Sequence, residues 1–78
     1  MFDLEVVSPK RTLFKDAINH LSLDGDETEY EILGFHAHLI GVLRQGQIVI
    51  DNKKAIPVKK GIIRFYENKC TVLVEETV

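Results

Sequence analysis

Apolar and polar residues alternate along much of the chain. In residues 2–7, the apolar side chains of Phe2, Leu4 and Val6 would point to one side of a strand and two acidic side chains to the other. A period of two is the signature of a β-strand with one buried face. We expect this strand to end before Pro9, because proline cannot donate to a β-ladder.

Further runs of this kind follow, separated by polar turn residues. The predicted strands are 19–23, 39–43, 47–50, 55–58, 62–66 and 70–75, and the predicted turns include 44–46, 51–53, 59–61 and 67–69. Strands at intervals of about 8–12 residues are typical of antiparallel sandwiches and barrels. No segment keeps the apolar spacing of a stable helix. The sequence therefore predicts one all-β domain over residues 1–78, a small antiparallel β-sandwich with hairpin connections.

Two residues make this interpretation testable. Pro57 falls inside a predicted strand, so that strand should lie at a sheet edge or contain a bulge there. Cys70 alternates with Val72 and Val74, and we expect it to be a small buried apolar residue rather than a reactive thiol.

Composition narrows the functional class. The chain has 78 residues, 45% of them hydrophobic and 28% charged, with a formal net charge of -2, which is typical of a globular domain. There is no basic excess to neutralise phosphates, so nucleic acid is not an expected ligand. A lone cysteine fits a reducing compartment. No apolar run approaches the roughly 20 residues that cross a bilayer, so no membrane insertion is expected.

The histidines raise the question of a metal site. His36 and His38 lie two residues apart and would face the same side of a strand. Two ligands are too few for a structural or catalytic site, and His20 is the only other histidine. The favoured interpretation is that His36 and His38 are polar members of a loop and strand edge.

No catalytic or cofactor site is predicted. No serine occurs in a strand-turn-helix elbow, and the glycines match neither the dinucleotide fingerprint nor the Walker loop. The acidic residues in 24–31 and 75–76 are interpreted as solvated charges. The chain is therefore expected to be a binding or structural module without a metal or other cofactor, and not an enzyme.

One segment points to a family. The stretch TEYEILGFHAHLIGVLRQG, residues 28–46, is similar to the pattern G-E-[LF]-G-[IV]-x-P-G-H-A-P-[LF]-[LV]-x-x-[LI]-x-P-G of the epsilon subunit of rotary F-type ATP synthases. The matching positions are Glu29, Ile32, His36, Ala37, Leu39, Ile40, Leu43 and Gly46. The start FDLEVVSPKRTLF and the segment GIIRFYENKCTVLVEET, residues 61–77, also resemble that family, so the similarity covers essentially the whole chain.

The resemblance has departures. Gly34 and Phe35 stand where the family usually has Pro-Gly, while His38 and Gln45 replace prolines. Loss of these prolines frees the backbone and alters loop rigidity. The family commonly carries a C-terminal helical hairpin, and this sequence stops at Val78, where the hairpin would begin. We therefore expect that helical domain to be absent, together with any nucleotide site or inhibitory arm.

The resemblance implies a β-sandwich in the central stalk, peripheral at the cytoplasmic face of the inner or plasma membrane. One face would contact the gamma subunit and one end the c ring, so that ring rotation is coupled to gamma and the catalytic head during ion-driven ATP synthesis. The implied interface residues are Glu29, Ile32, His36, Ala37 and Leu39. Two alternatives remain open: a free-standing adaptor or ligand-binding module, and a small metalloprotein that uses the histidines.

Overall fold

The computed structural model describes residues 1–76; Thr77 and Val78, at the end of the predicted domain, lie outside the described residues. Residues 1–76 form seven strands: Phe2–Val7 (β1), Thr12–Ile18 (β2), His20–Gly25 (β3), Glu29–Leu33 (β4), Leu39–Ile50 (β5), Lys54–Tyr66 (β6) and Lys69–Glu76 (β7). They form one sheet in the order β2-β1-β7-β6-β5-β3-β4. Within residues 1–76 no helix is long and apolar enough to cross a membrane. The all-β prediction is confirmed.

The long strands β5 and β6 fold the sheet onto itself. In β5 the buried positions are Gly41 and Leu43 before residues 44–45, and Ile48 and Ile50 after them, so the buried side switches from odd to even numbers. β6 makes the opposite switch at residues 59–60. These two segments face each other in the β5–β6 register. The first half of β5 and the second half of β6 therefore lie in the layer with β7, and their other halves lie in the layer with β3.

Two predicted turns are wrong for this reason. The chain continues as strand through 44–46 and through 59–61, where the sequence suggested reversals. The polar pairs at these places are consecutive exposed residues at a corner between the layers. A bend that shifts the buried face by one residue produces the same break in alternation as a turn does, since side chains of a strand alternate sides.

The two outermost strands on one side differ from the expectation in other ways. β1 pairs with β7 in parallel, whereas the other pairs are antiparallel. The sequence did not predict β2 as a strand. β2 is an edge strand whose only buried residue is Ile18, so it carries little of the alternation that reveals a half-buried strand.

The core lies between the two layers and consists of apolar side chains. Phe2 and Phe65 meet edge to face within it, with ring centroids 5.5 Å apart. Cys70 is also buried, as predicted, and desolvation raises the pKa of its thiol to about 12. The prediction for Pro57 is confirmed as well, because its part of β6 pairs with β5 on one side and β7 pairing begins only at Val58.

Two tight hairpins close the β5–β6 and β6–β7 connections. Asp51 and Asn52 have φ of 50° and 56°, and Glu67 and Asn68 have φ of 48° and 60°. Positive φ at both central residues is the requirement of the type I′ turn that suits the twist of antiparallel strands. These hairpins hold β5, β6 and β7 in fixed register, which aligns the side chains on the outer face of the sheet.

Candidate interaction surface

The outer face of the sheet carries a row of exposed apolar side chains. Val42 of β5 is opposite Ile62 of β6, and Ile62 is opposite Leu73 of β7. Leu73 is in turn the register partner of Val7 in β1. Side chains opposite one another on the same face lie about 4.5–5.5 Å apart. We call Val7, Val42, Ile62 and Leu73 the apolar row; Val42 is 57% exposed and Leu73 is 52% exposed.

The apolar row forms the floor of a shallow open groove of about 510 Å³. One wall is the chain leaving β1, at Ser8 and Pro9, and another is the corner of β6 at Lys60. Ile40 extends the apolar surface along β5, two residues from Val42, and is 76% exposed. An apolar surface that continues across several strands is typical of a protein interface rather than of scattered exposed residues.

A polar cluster fixes the wall of this groove at Ser8. The Ser8 hydroxyl donates to Glu76 Oε2 at 3.0 Å, and Arg11 Nη2 donates to Glu76 Oε1 at 2.7 Å. Hydrogen bonding to Arg11, and then to Ser8, holds the pKa of the Glu76 carboxyl below its ordinary value. The end of β7 is therefore tied to the β1–β2 connection, which holds this wall of the groove in place.

The motif residues do not form one surface. Glu29 begins β4 and is exposed, whereas His36 and Ala37 lie in the loop beyond the other end of β4. At about 3.3 Å per residue, the strand places its two ends roughly 13 Å apart. Ile32 has no exposed surface and belongs to the core, while Leu39 is half-buried and packs against it.

Glu29 lies at an acidic end of the sandwich. It is opposite Asp24 in the β3–β4 pair, and the connection between these strands contains Asp26 and Glu27. The backbone N–H of Gln47 donates to Asp24 Oδ2 at 3.1 Å. Glu29, Asp26 and Glu27 are all exposed, so this end of the sandwich carries negative charge on its surface.

The histidines do not come together. His36 Nδ1 lies 2.8 Å from the carbonyl oxygen of Ala37, and its ring is 5.8 Å from that of Phe65. His20 Nε2 lies 2.8 Å from Glu31 Oε1. Residues 1–76 contain no group of three histidine, cysteine, aspartate or glutamate side chains that could hold a metal ion.

Phe35 lies in the loop between β4 and β5, residues 34–38, and the sequence did not predict its exposure or its backbone conformation. Its side chain is 85% exposed, and its φ of 61° lies in the left-handed region that glycine adopts most easily. Its N–H donates to Asn68 Oδ1 at 2.7 Å, and Asn68 Nδ2 donates to the carbonyl of Met1 at 2.9 Å. The departure from Pro-Gly at Gly34 and Phe35 was the signal that the backbone here would be unusual.

A family model matches the whole chain. The model for the β-sandwich domain of the ATP synthase delta/epsilon chain covers residues 1–78. The chain belongs to this family. The resemblance seen in the sequence is thereby confirmed, with its β-sandwich fold.

Curated relatives agree with the assignment to the epsilon family. The ATP synthase epsilon chain of Sulfurovum sp. (strain NBC37-1) is 32% identical over 82 residues, covering 100% of this chain and 64% of the relative. That of Campylobacter fetus subsp. fetus (strain 82-40) is 33% identical over 79 residues, covering 96% and 61%. The chain thus spans about three fifths of the length of these epsilon chains.

Solved structures agree with the epsilon-family fold. A chain in the central stalk and c-ring structure of the mitochondrial ATP synthase of Tetrahymena thermophila superposes with a TM-score of 0.82 at 14% identity. The match covers 95% of this chain and 63% of the other. A chain of the mitochondrial ATP synthase of Euglena gracilis gives the same TM-score, covering 96% and 51%.

Proposed function

We propose that this epsilon-family domain works as a non-catalytic rotor element in the central stalk of an F-type ATP synthase. Its outer face would bind the gamma subunit, and its acidic end would meet the c ring, so that ion-driven rotation of the ring reaches gamma and the catalytic head. Residues 1–78 would act as one β-sandwich domain. The complex would hold it at the cytoplasmic side of the inner or plasma membrane, without insertion into the bilayer.

The observation that carries this proposal is the apolar row on the outer face. Val42, Ile62 and Leu73 are exposed, yet they are aligned by register across three hydrogen-bonded strands. Removing such side chains from water is favourable by about 25 cal/mol per Å² of apolar surface. Covering the row therefore supplies binding energy, and the hydrogen-bonded strands beneath it supply the stiffness that torque transmission requires.

The acidic end supports the second contact. Glu29 is exposed beside Asp24, and no lysine or arginine occurs between residues 24 and 29. Charge of one sign at the rim of an interface steers and orients a partner of opposite charge. We propose that Glu29 meets basic or polar loops of the c ring. The interface roles of His36, Ala37 and Leu39 are proposed as secondary contacts, and Ile32 would act only from within the core, against which Leu39 packs.

The proposed gamma contact can be tested with two matched leucines. Leu73 is 52% exposed in the apolar row, and Leu33 is 56% exposed on β4, outside it. We would titrate the chain by calorimetry into the assembled catalytic head containing gamma from the same organism. Wild type should saturate at one to one. Leu73→Asp should weaken binding at least about tenfold, whereas Leu33→Asp should stay within about twofold.

Two results would contradict the proposal. If wild type gives no heat of binding at micromolar concentrations, the chain is not a stalk component, and a free-standing adaptor becomes the better interpretation. If both aspartate variants weaken binding equally, the apolar row is not the gamma face. Thermal unfolding of both variants would show that neither change has disrupted the fold.

A further inference from the structure

Tyr66 forms an aromatic platform at the margin of the apolar row. The guanidinium carbon of Arg64 lies 5.5 Å from the centroid of the Tyr66 ring. The His38 ring lies 4.4 Å from the same centroid, tilted by 40°. Arg64 and Tyr66 are two residues apart in β6, so their side chains leave the same face of the sheet. An arginine held against an aromatic ring has fewer conformations to lose when it binds a ligand.

Arg64 is exposed and forms no ion pair with any residue in 1–76, in contrast with Arg11, Lys59 and Lys60, which have carboxylate partners. Its register partner in β7 is Thr71. Thr71 pairs in turn with Glu5 of β1. The backbones of Arg64 and Glu5 are thus two strand spacings, about 9–10 Å, apart. The charge of Arg64 is therefore available to a partner.

Arg64 lies close enough to the apolar row to take part in the proposed interface. Arg64 is opposite Ile40 of β5 and lies two residues from Ile62 in the apolar row, on the same face. A partner that covers Ile62 would also remove water from the guanidinium. Desolvation of a charge is costly unless an opposite charge replaces the lost water. The planar guanidinium suits a carboxylate, which it can bind with two parallel hydrogen bonds.

We propose that Arg64, positioned by Tyr66 and His38, binds an aspartate or glutamate carboxylate on the partner surface that covers the apolar row. The apolar row supplies contact area, and the ion pair at its margin fixes the rotational position of the partner. This inference rests on the proposed function, because it takes the gamma subunit as the protein that covers the row. It adds a specificity contact that the apolar side chains cannot provide.

The test is the same calorimetric titration into the assembled head, with Arg64→Gln. The matched control is Lys54→Gln, which removes the same charge from a side chain that also lies over an aromatic ring, 5.4 Å from the Phe14 centroid. Lys54 begins β6 and lies beyond the corner, away from the apolar row. We expect Arg64→Gln to weaken binding about tenfold and Lys54→Gln less than about twofold.

Salt dependence separates a bound carboxylate from a packing effect. Wild-type affinity should fall as sodium chloride is raised from about 50 to about 300 mM, because salt screens charge pairs. Arg64→Gln should show a clearly weaker dependence. Arg64→Lys should be intermediate in affinity and keep the salt dependence, since it retains the charge without the planar fork. Tyr66→Leu should weaken binding while also keeping the salt dependence.

The outcomes distinguish the two proposals. If wild type binds and Arg64→Gln matches Lys54→Gln in affinity and salt dependence, the carboxylate contact is wrong while the stalk function stands. If wild type does not bind the head, the stalk function and the inference both fail. If sedimentation shows a dimer that Arg64→Gln dissociates, the occupant is a second copy of this chain, which also overturns the inference.

Discussion

Phe35 should lower the stability of the folded domain, because its backbone adopts a conformation that favours glycine. Its φ is 61°, and its side chain is 85% exposed, so the ring buries little surface that could offset the cost. The perturbation that isolates this effect is Phe35→Gly. The hydrogen bond from the residue 35 N–H to Asn68 is retained, because glycine keeps that donor.

The magnitude follows from two opposing contributions. The left-handed conformation costs an L-residue about 1–2 kcal/mol, and glycine avoids that cost. Glycine also has greater conformational freedom in the unfolded chain, and the loss of that freedom on folding offsets the gain in stability by about 0.5–1 kcal/mol. The net expectation is that Phe35→Gly stabilises the domain by about 0.5–1 kcal/mol. For a domain of this size, that raises the thermal midpoint by roughly 2–8 °C.

The assay is thermal and urea unfolding followed by circular dichroism. Phe35→Ala is the matched control, because alanine removes the same ring but keeps the cost of positive φ. We expect no stabilisation from Phe35→Ala. A Phe35→Gly midpoint at or below that of the alanine variant would refute the argument that the backbone at this position is strained.

Three further predictions concern individual side chains. Cys70 should resist iodoacetamide at pH 8 until the protein is unfolded, because its thiol is buried and its pKa is raised to about 12. The free energy of unfolding should fall above about pH 9, because the unfolded chain then loses the thiol proton while the folded state keeps it. The depressed pKa of Glu76 gives stabilisation that is present above its ordinary value of 4.5 and is lost as pH falls; Glu76→Gln should flatten that loss in urea unfolding. Glu29→Lys should reduce ATP-driven ion pumping in reconstituted vesicles without lowering the thermal midpoint, since exposed charges contribute little stability; unchanged pumping would count against the c-ring contact.

Alternation in the sequence was sufficient to predict the fold class but not the path of the chain. Residues 2–7 show one buried face clearly, and their strand was predicted with the observed limits. At 44–45 and 59–60 the same rule failed, because a corner between layers and a turn interrupt alternation in the same way. β2 was missed because an edge strand with one buried residue has no clear pattern.

The interaction surface depends on contacts that no local pattern contains. Ile62 and Ile63 are adjacent isoleucines, and only the second is buried. The apolar row exists because register aligns residues that are distant in sequence, such as Val7 and Leu73. The sequence nevertheless contained a signal, namely strands with apolar residues on both faces. In a two-layer sandwich only one face of a strand packs into the core, so the apolar residues on the other face remain exposed. The motif instead directed attention to Glu29 and His36, which lie at opposite ends of β4.

The most direct test of the gamma contact is a thiol footprint of the bound chain. Ile62→Cys and Leu33→Cys would each provide a single reactive thiol, because native Cys70 is buried. We would measure maleimide labelling of each variant, alone and bound to the assembled head. We expect binding to slow labelling at position 62 by about tenfold or more, while the labelling rate at position 33 stays unchanged. Equal labelling of position 62 in the free and bound chain would contradict the claim that the apolar row is the face covered by gamma.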